Sequence, residues 1–325
     1  MCIICRNEYN ETLHSFSIDC SGCPTLKHIS KHVKTTYLDC KGCPNLESIS
    51  RIKNLKMLNC SNCPKLIYIS SMKTLEQLNC NGCDTIQTIH FFPKLTHLEC
   101  MRCSELRYIT PMKNIKKISC HHCGSLKYIP PIKNLEFLEC SNCPDLKKIG
   151  KMNNLTRMYC GHSTNLKQLP RMKKVHTLHC FGTQITCIQK YDKLIELYCS
   201  DCPELKQINV SPNMKELNCS GCPQLHHVPQ CQLLKTITCW NCYFLESIPV
   251  LEHIDHISSW QWKSPFLYIP YRTRLKADVD EPPNFLIFMI KRVQLRCRLK
   301  VFSKKTLNSL LVVPTVLIDI ITGYI

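Results

Sequence analysis

The stretch Leu55-Lys-Met-Leu58-Asn-Cys60-Ser-Asn-Cys63-Pro-Lys-Leu66-Ile-Tyr-Ile69 decides how the chain folds. Leu58 and Cys60 alternate with Met57, Asn59 and Ser61, the period of two that marks a short strand with one buried face. The same pattern returns as Leu135-Glu-Phe-Leu138-Glu-Cys140-Ser-Asn-Cys143-Pro-Asp-Leu146-Lys-Lys-Ile149. Its first cysteine recurs at Cys20, Cys40, Cys60, Cys80, Cys100, Cys120, Cys140, Cys160 and Cys180, always twenty residues apart. One residue is then lost, Cys199, Cys219 and Cys239 resume the period, and Ser259 holds the place in a thirteenth unit. A unit this short cannot bury its apolar face alone, so successive units must stack.

Stacking turns the short strands into a parallel sheet, and at roughly 4.8 Å per strand the units span about 60 Å. Each unit sends five or six apolar groups inward, the larger ones worth roughly 1.5–3 kcal/mol apiece when fully buried. About ten residues per unit remain for the return path. That is too few for a long helix, and Pro130, Pro131, Pro170 and Pro249 disfavour one there. Extended or 3₁₀ segments are expected instead, sealed by the recurring Ile52, Met72, Met112, Ile132, Met152 and Met172. With 9 glycines in 325 residues, the corners must turn on other residue types.

The recurring L-x-x-L-x-C-x-x-C-x-x-L-x-x-I resembles the leucine-rich-repeat family, whose signature is L-x-x-L-x-L-x-x-N/C-x-L. The resemblance covers residues 13–270 and is nearest to the cysteine-rich repeat proteins of giant DNA viruses of amoebae. It implies an α/β-type solenoid, a leucine-rich-repeat horseshoe of about thirteen repeats with a parallel concave sheet. A cap over 1–12 precedes the repeats and a basic helical region over 271–325 follows them. The resemblance also implies that the second cysteine caps backbone groups at the strand-to-loop corner, and that a protein partner docks on the concave face.

Cysteine is the compositional outlier, with 27 residues. The start, Met1-Cys-Ile-Ile-Cys-Arg-Asn-Glu-Tyr-Asn10, lacks the basic and apolar regions of a signal peptide, and the cysteine count is odd. A reducing cytoplasm is therefore expected (that of a host, on the viral resemblance), with thiols serving as small buried apolar groups. Ten units carry C-x-x-C, the spacing of zinc knuckles and redox sites. The second position becomes Ser163, Thr183 and Trp262, and the first becomes Ser259. Such changes would cost a zinc site its ligands, so packing is the expected requirement, with no metal and no cofactor. Stacked Cys₄ sites between adjacent turns are the geometric alternative. In-register parallel neighbours seldom suit disulfides. Cys187, Cys231 and Cys297 fall outside the ladder and acquire no role.

The outward strand positions carry the candidate partner-binding residues: Tyr37, Met57, His97, Met101, Lys117, His121, Phe137, Arg157, Tyr159, His179, Phe181, Tyr198 and Trp240. Exposed aromatic residues among polar ones fit a protein-interaction surface. Alternatively, Trp240, Trp260 and Trp262 cover the open end of the solenoid. The outward columns hold Lys41, Lys117 and Arg157 against Asp19, Asp39, Glu99, Glu139, Glu196 and Glu216, so this face is mildly acidic although the chain carries +18. Nucleic acid needs a continuous basic track, which this face does not supply. Lys53, Lys73, Lys113, Lys133 and Lys173 lie toward the convex side, where a solvated face competes with nucleic-acid binding. His97, His121, His122, His162 and His179 are dense in the central turns, and read as polar surface before metal ligands.

Beyond residue 270 the repeat stops. Asn284–Lys305 mixes apolar and basic residues without an acid and reads as an amphipathic helix, either a cap or a membrane-surface or partner-binding element. Leu310–Ile325 is short for a membrane span and contains Pro314 and Asp319. Within it, residues 312–325 resemble the opening helix of an F-box. That implies docking to a Skp-type ubiquitin-ligase adaptor through Pro314, Leu317, Ile318, Ile321 and Tyr324. Val316 stands where that motif usually has Glu. There is no G-x-S-x-G, no phosphate-cradling glycine loop and no distinctive carboxylate pair. The expectation is a non-catalytic binding scaffold, with a ubiquitin-ligase substrate receptor and a nucleic-acid binder as alternatives.

Overall fold

A computed structural model of the chain describes Cys2, Ile4, residues 16–31, 33–209 and 211–246, and the backbone of His256–Ser258. Its main feature is a 13-stranded sheet of three-residue strands, running from Ser17–Asp19 to His256–Ser258 in strict sequence order. Every pairing is parallel and in register; Leu38 sits opposite Leu58, which sits opposite Leu78. The twelve strands up to Thr236–Thr238 are joined by eleven complete turns. The period of two is realised as read: the middle residue of each of these strands is buried and its neighbours face outward.

The return path is extended. Two-residue strands His28–Ile29, Ser48–Ile49 and Tyr68–Ile69 form a second parallel ladder. Shorter pieces continue it, Thr88–Ile89 with Tyr108–Ile109, Tyr128–Ile129 with Lys148–Ile149, and Cys187–Ile188 with Gln207–Ile208. Among the described residues there is no α or 3₁₀ helix, so the α/β-type and 3₁₀ expectations give way to an all-β solenoid. The cause is reach. A helix advances about 1.5 Å per residue and a strand about 3.3 Å, and only the latter takes ten residues around a turn. The helical tail, the F-box-like residues Pro314, Leu317, Ile318, Ile321 and Tyr324, and all but Cys2 and Ile4 of the N-terminal cap lie outside the described residues.

Each turn fills its interior from seven positions rather than five or six. In one turn these are Ile52, Leu55, Leu58, Cys60, Cys63, Leu66 and Ile69, all at most 5% exposed. The position of Ile52 is taken in other turns by Phe92, Tyr191, Ser211 and Cys231, all buried, which gives Cys231 the role that spacing did not reveal. Tyr191 keeps its hydroxyl satisfied there by donating to the Pro170 carbonyl at 3.0 Å. Cys187 opens one of the short strands, and its sulfur accepts a hydrogen bond from Asn209 at 3.6 Å.

With glycine scarce, the corner after each strand turns left-handed on whatever residue is present. Asn62, Arg102, His122, Asn142, His162, Asp201 and Asn241 adopt φ between 53° and 58° or 60°, in the column that also holds Gly22 and Gly82. Asn and Asp tolerate this region; Arg and His accept a cost of roughly 1–2 kcal/mol. The opposite corner is closed by an asparagine column. Asn114, Asn134 and Asn154 donate from Nδ2 to the carbonyls of Pro93, Lys113 and Lys133 in the preceding turn, at 2.7, 2.8 and 3.1 Å.

The two cysteines of each repeat do different work. The first lies in the core, behind the end of its strand. The second donates its S–H to the backbone carbonyl of the first cysteine one turn earlier: Cys63 to Cys40 at 3.2 Å, Cys83 to Cys60 at 3.1 Å, Cys123 to Cys100 at 3.1 Å and Cys242 to Cys219 at 3.0 Å. Ser163, replacing the second cysteine, donates to the Cys140 carbonyl at 2.9 Å. The substitutions therefore preserve a hydrogen-bond donor, and packing alone is not the requirement. Thr183 differs: it bonds the Cys180 carbonyl of its own turn at 2.8 Å, and Cys202 reaches the same carbonyl at 3.2 Å. This is where the repeat loses one residue.

Burial pushes the thiols of Cys40, Cys120, Cys140, Cys180 and Cys199 well above the usual range, and those of Cys63 and Cys143 up to about 12. A thiol becomes charged by losing its proton, so a raised folded value means that the unfolded chain ionises first. Stability is complete below the ordinary thiol value of 9.0 and is lost as pH rises above it. The expected slope is up to about 1.4 kcal/mol per buried thiol per pH unit. Urea midpoints between pH 8 and 11 check this prediction, and a flat profile above pH 9 contradicts it. Cys123→Ala is expected to cost about 1–3 kcal/mol by orphaning the Cys100 carbonyl. Cys123→Ser should retain most of the stability, as Ser163 does natively, and denaturant titration of both variants decides the point.

Candidate functional site

The outward face of the long sheet brings part of the sequence-read set into contact. Lys117 stands directly opposite Phe137 on the next strand, with its ammonium 5.6 Å from the ring centroid. Phe137 reaches diagonally to Tyr159, with centroids 5.6 Å apart. Tyr159 then faces His179 at 4.7 Å, and His179 faces Tyr198 at 4.4 Å, both as register partners. Tyr198 ends the row by donating its hydroxyl to Glu216 at 2.6 Å. Six adjacent strands thus carry a row with a cation at one end, a carboxylate at the other and four rings between. The in-register sheet causes this, because residues opposite or diagonal across strands lie within reach of long and aromatic side chains.

Neighbouring groups hold the row in place. Lys117 also pairs with Glu99 at 3.6 Å, and His121 lies 3.1 Å from Glu139. That His121 nitrogen makes no properly aligned hydrogen bond, so the contact is one of proximity between the imidazole and the carboxylate. Phe181 stands beside the row, edge-on to His162 at 4.9 Å, and lies over Gly161. A Cβ at position 161 would come within 2.6 Å of the Phe181 ring, so only glycine lets the ring lie flat there.

The remaining outward residues are separate from this row. Tyr37 donates to Asp39 at 3.2 Å and, with its register partner Met57, lies toward the N-terminal end. His97 contacts Thr96 at 2.9 Å. Met101 and Arg157 face outward without joining the ring contacts, and Trp240 is half-buried near the last described turn. The carboxylates Glu99, Glu139 and Glu216 entered the sequence reading only as a charge count. Their column positions, diagonal to Lys117, His121 and Tyr198, are the signal that could have named them.

The electrostatics follow from these contacts. The hydrogen bond to Glu216, with burial and that carboxylate's charge adding, pushes Tyr198 up to about 12. Burial lowers His179, and the Glu196 carboxylate offsets only part of that. No group of three or more His, Cys, Asp or Glu side chains able to hold a metal ion occurs among the described residues. No helix among them is long and apolar enough to cross a membrane. The row forms an aromatic surface with polar margins. The His179 imidazole is expected to titrate with a midpoint below 6.5, followed through its ring protons by NMR; a midpoint above that value would mean that the rings do not shield it.

No family model matches the chain, and no curated protein matches it. Among solved structures it is similar to a leucine-rich repeat protein from Bacteroides ovatus, with 16% identity over 75% of this chain and 85% of that one, at a TM-score of 0.43. It is also similar to a leucine rich cell surface protein from Faecalibacterium prausnitzii, with 14% identity over 76% of this chain and 83% of that one, at a TM-score of 0.38. A third is the functional domain of InlJ from Listeria monocytogenes, which includes a cysteine ladder: 17% identity over 74% of this chain and 68% of that one, at a TM-score of 0.33.

Proposed function

We propose that the chain is a non-catalytic scaffold that holds a protein partner along the outward face of its long sheet, centred on the row from Lys117 to Glu216. The observation that carries this reading is the unbroken contact of Phe137, Tyr159, His179 and Tyr198 across adjacent strands. Rings that already brace one another lose little rotamer freedom when a partner arrives, which lowers the entropic cost of binding. Aromatic residues flanked by charged ones also match the composition of interface centres and their rims. The mild acidity of the face favours a partner segment with apolar and cationic side chains.

Phe137→Ala/Tyr159→Ala/Tyr198→Ala tests this. The three outward side chains are not part of the core, so the variant should fold with an unchanged far-ultraviolet spectrum. Its capture of cellular proteins by proximity labelling is then compared with wild type. Loss of specific partners by the variant is the expected result. Equal recovery by both proteins would place binding elsewhere.

A further inference from the structure

The turns place positive charge on one corner. The segments that lead into the long sheet, 31–36, 51–56 and so on at each period to 230–235, carry eighteen lysines and arginines against three acids, Glu76, Glu136 and Asp192. All eighteen cations are exposed, and each of the eleven corners has at least one. The opposite corners, from 21–28 to 240–246, hold ten cations against seven acids. These segments are stacked turn upon turn by the backbone: Glu136 donates to the Lys116 carbonyl and Lys235 to that of Lys215, both at 2.8 Å. Asn134 and Asn154 similarly tie the Lys113 and Lys133 carbonyls to the following turns. Among the described residues the row contains two ion pairs, Lys116 with Glu136 and Lys190 with Asp192, both well exposed.

We infer that this lead-in corner is a docking rail for the phosphate backbone of double-stranded nucleic acid, recognised without regard to sequence. Stacked like charges about 4.8 Å apart repel one another, and a polyanion laid along them relieves that repulsion. Eleven corners at that spacing give a row of roughly 50 Å, the length of about 15 base pairs. The row is narrow, whereas a membrane presents a plane and calls for apolar anchors beside the lysines. Single strands call for rings on which bases stack. Among the described residues the corner exposes two large hydrophobic side chains, Phe91 and Leu233. The rail lies off the outward sheet face, so it stands independently of the aromatic row and its partner.

The test compares two triple variants of equal net charge. Lys113→Ala/Lys133→Ala/Lys173→Ala removes three cations from the rail, and Lys127→Ala/Lys147→Ala/Lys167→Ala removes three exposed ones from other segments. Fluorescence anisotropy follows binding to mixed-sequence DNA and RNA duplexes of about 20 base pairs, between roughly 50 and 200 mM salt. Wild type should bind one or both duplexes, with affinity falling steeply as salt rises. The rail variant should weaken binding about tenfold or more and flatten the logarithmic salt slope by about 2–3. The second variant should stay within about twofold of wild type. Equal losses in the two variants, salt-independent binding, no duplex binding at the lowest salt, or preference for phosphatidylserine vesicles over both duplexes would each overturn the assignment.

Discussion

The fold depends on how a buried carbonyl at the strand-exit corner is satisfied. In-register parallel strands pair their own backbone groups, and the first cysteine of the preceding turn supplies the amide for the last strand carbonyl, as Cys60 N–H does for Asn79 O at 2.8 Å. The carbonyl of the first cysteine falls beyond that ladder, inside the protein, where a polar group without a partner is costly. The thiol one turn later meets it. A thiol is small enough to pack as an apolar group and polar enough to donate one weak hydrogen bond, so a single residue type fills the core and closes the corner. That dual use explains why serine replaces it once with no change of role.

The asparagine column performs the same task at the other corner, with a different donor for a different environment. Asn114 and Asn134 are exposed and Asn154 is half-buried, and a longer amide reaches a surface carbonyl that a buried thiol could not. The two columns leave the outward sheet face and the lysine and arginine positions of the lead-in corner free of structural duty. Residues there vary from turn to turn, and the rings, carboxylates and lysines that could meet partners are found among them.

Much of this architecture was legible in the sequence because it is periodic. A twenty-residue period fixes the register, and register fixes which side chains share a column, so the strand positions and the buried Met72, Met112 and Ile132 follow directly. What was not legible is directional. Spacing cannot show that the Cys63 thiol points back at Cys40, nor that Phe137 leans diagonally to Tyr159 while Lys117 lies over it. Cys231 escaped notice for a related reason: it takes a position filled elsewhere by Ile, Met, Phe or Tyr, and only burial unites so mixed a column. The sequence placed Lys53, Lys73, Lys113, Lys133 and Lys173 toward the convex side, but their gathering with other cations on one corner required the path of the return segments.

Thr183 gives the solenoid a seam. From Cys43 to Cys242, every other side chain at this corner clasps the preceding turn, whereas the Thr183 hydroxyl turns to the carbonyl within its own. Backbone bonds still cross the boundary, from Cys160 to His179 and from His162 to Phe181, but the clasp between the turns of Cys160 and Cys180 is missing. In a structure whose cohesion is a sum of nearest-neighbour contacts, one weakened junction sets where the stack parts under tension. The row from Lys117 to Glu216 straddles that junction, so a ligand gripping both ends would act as a splint across the plane where the stack is easiest to cleave.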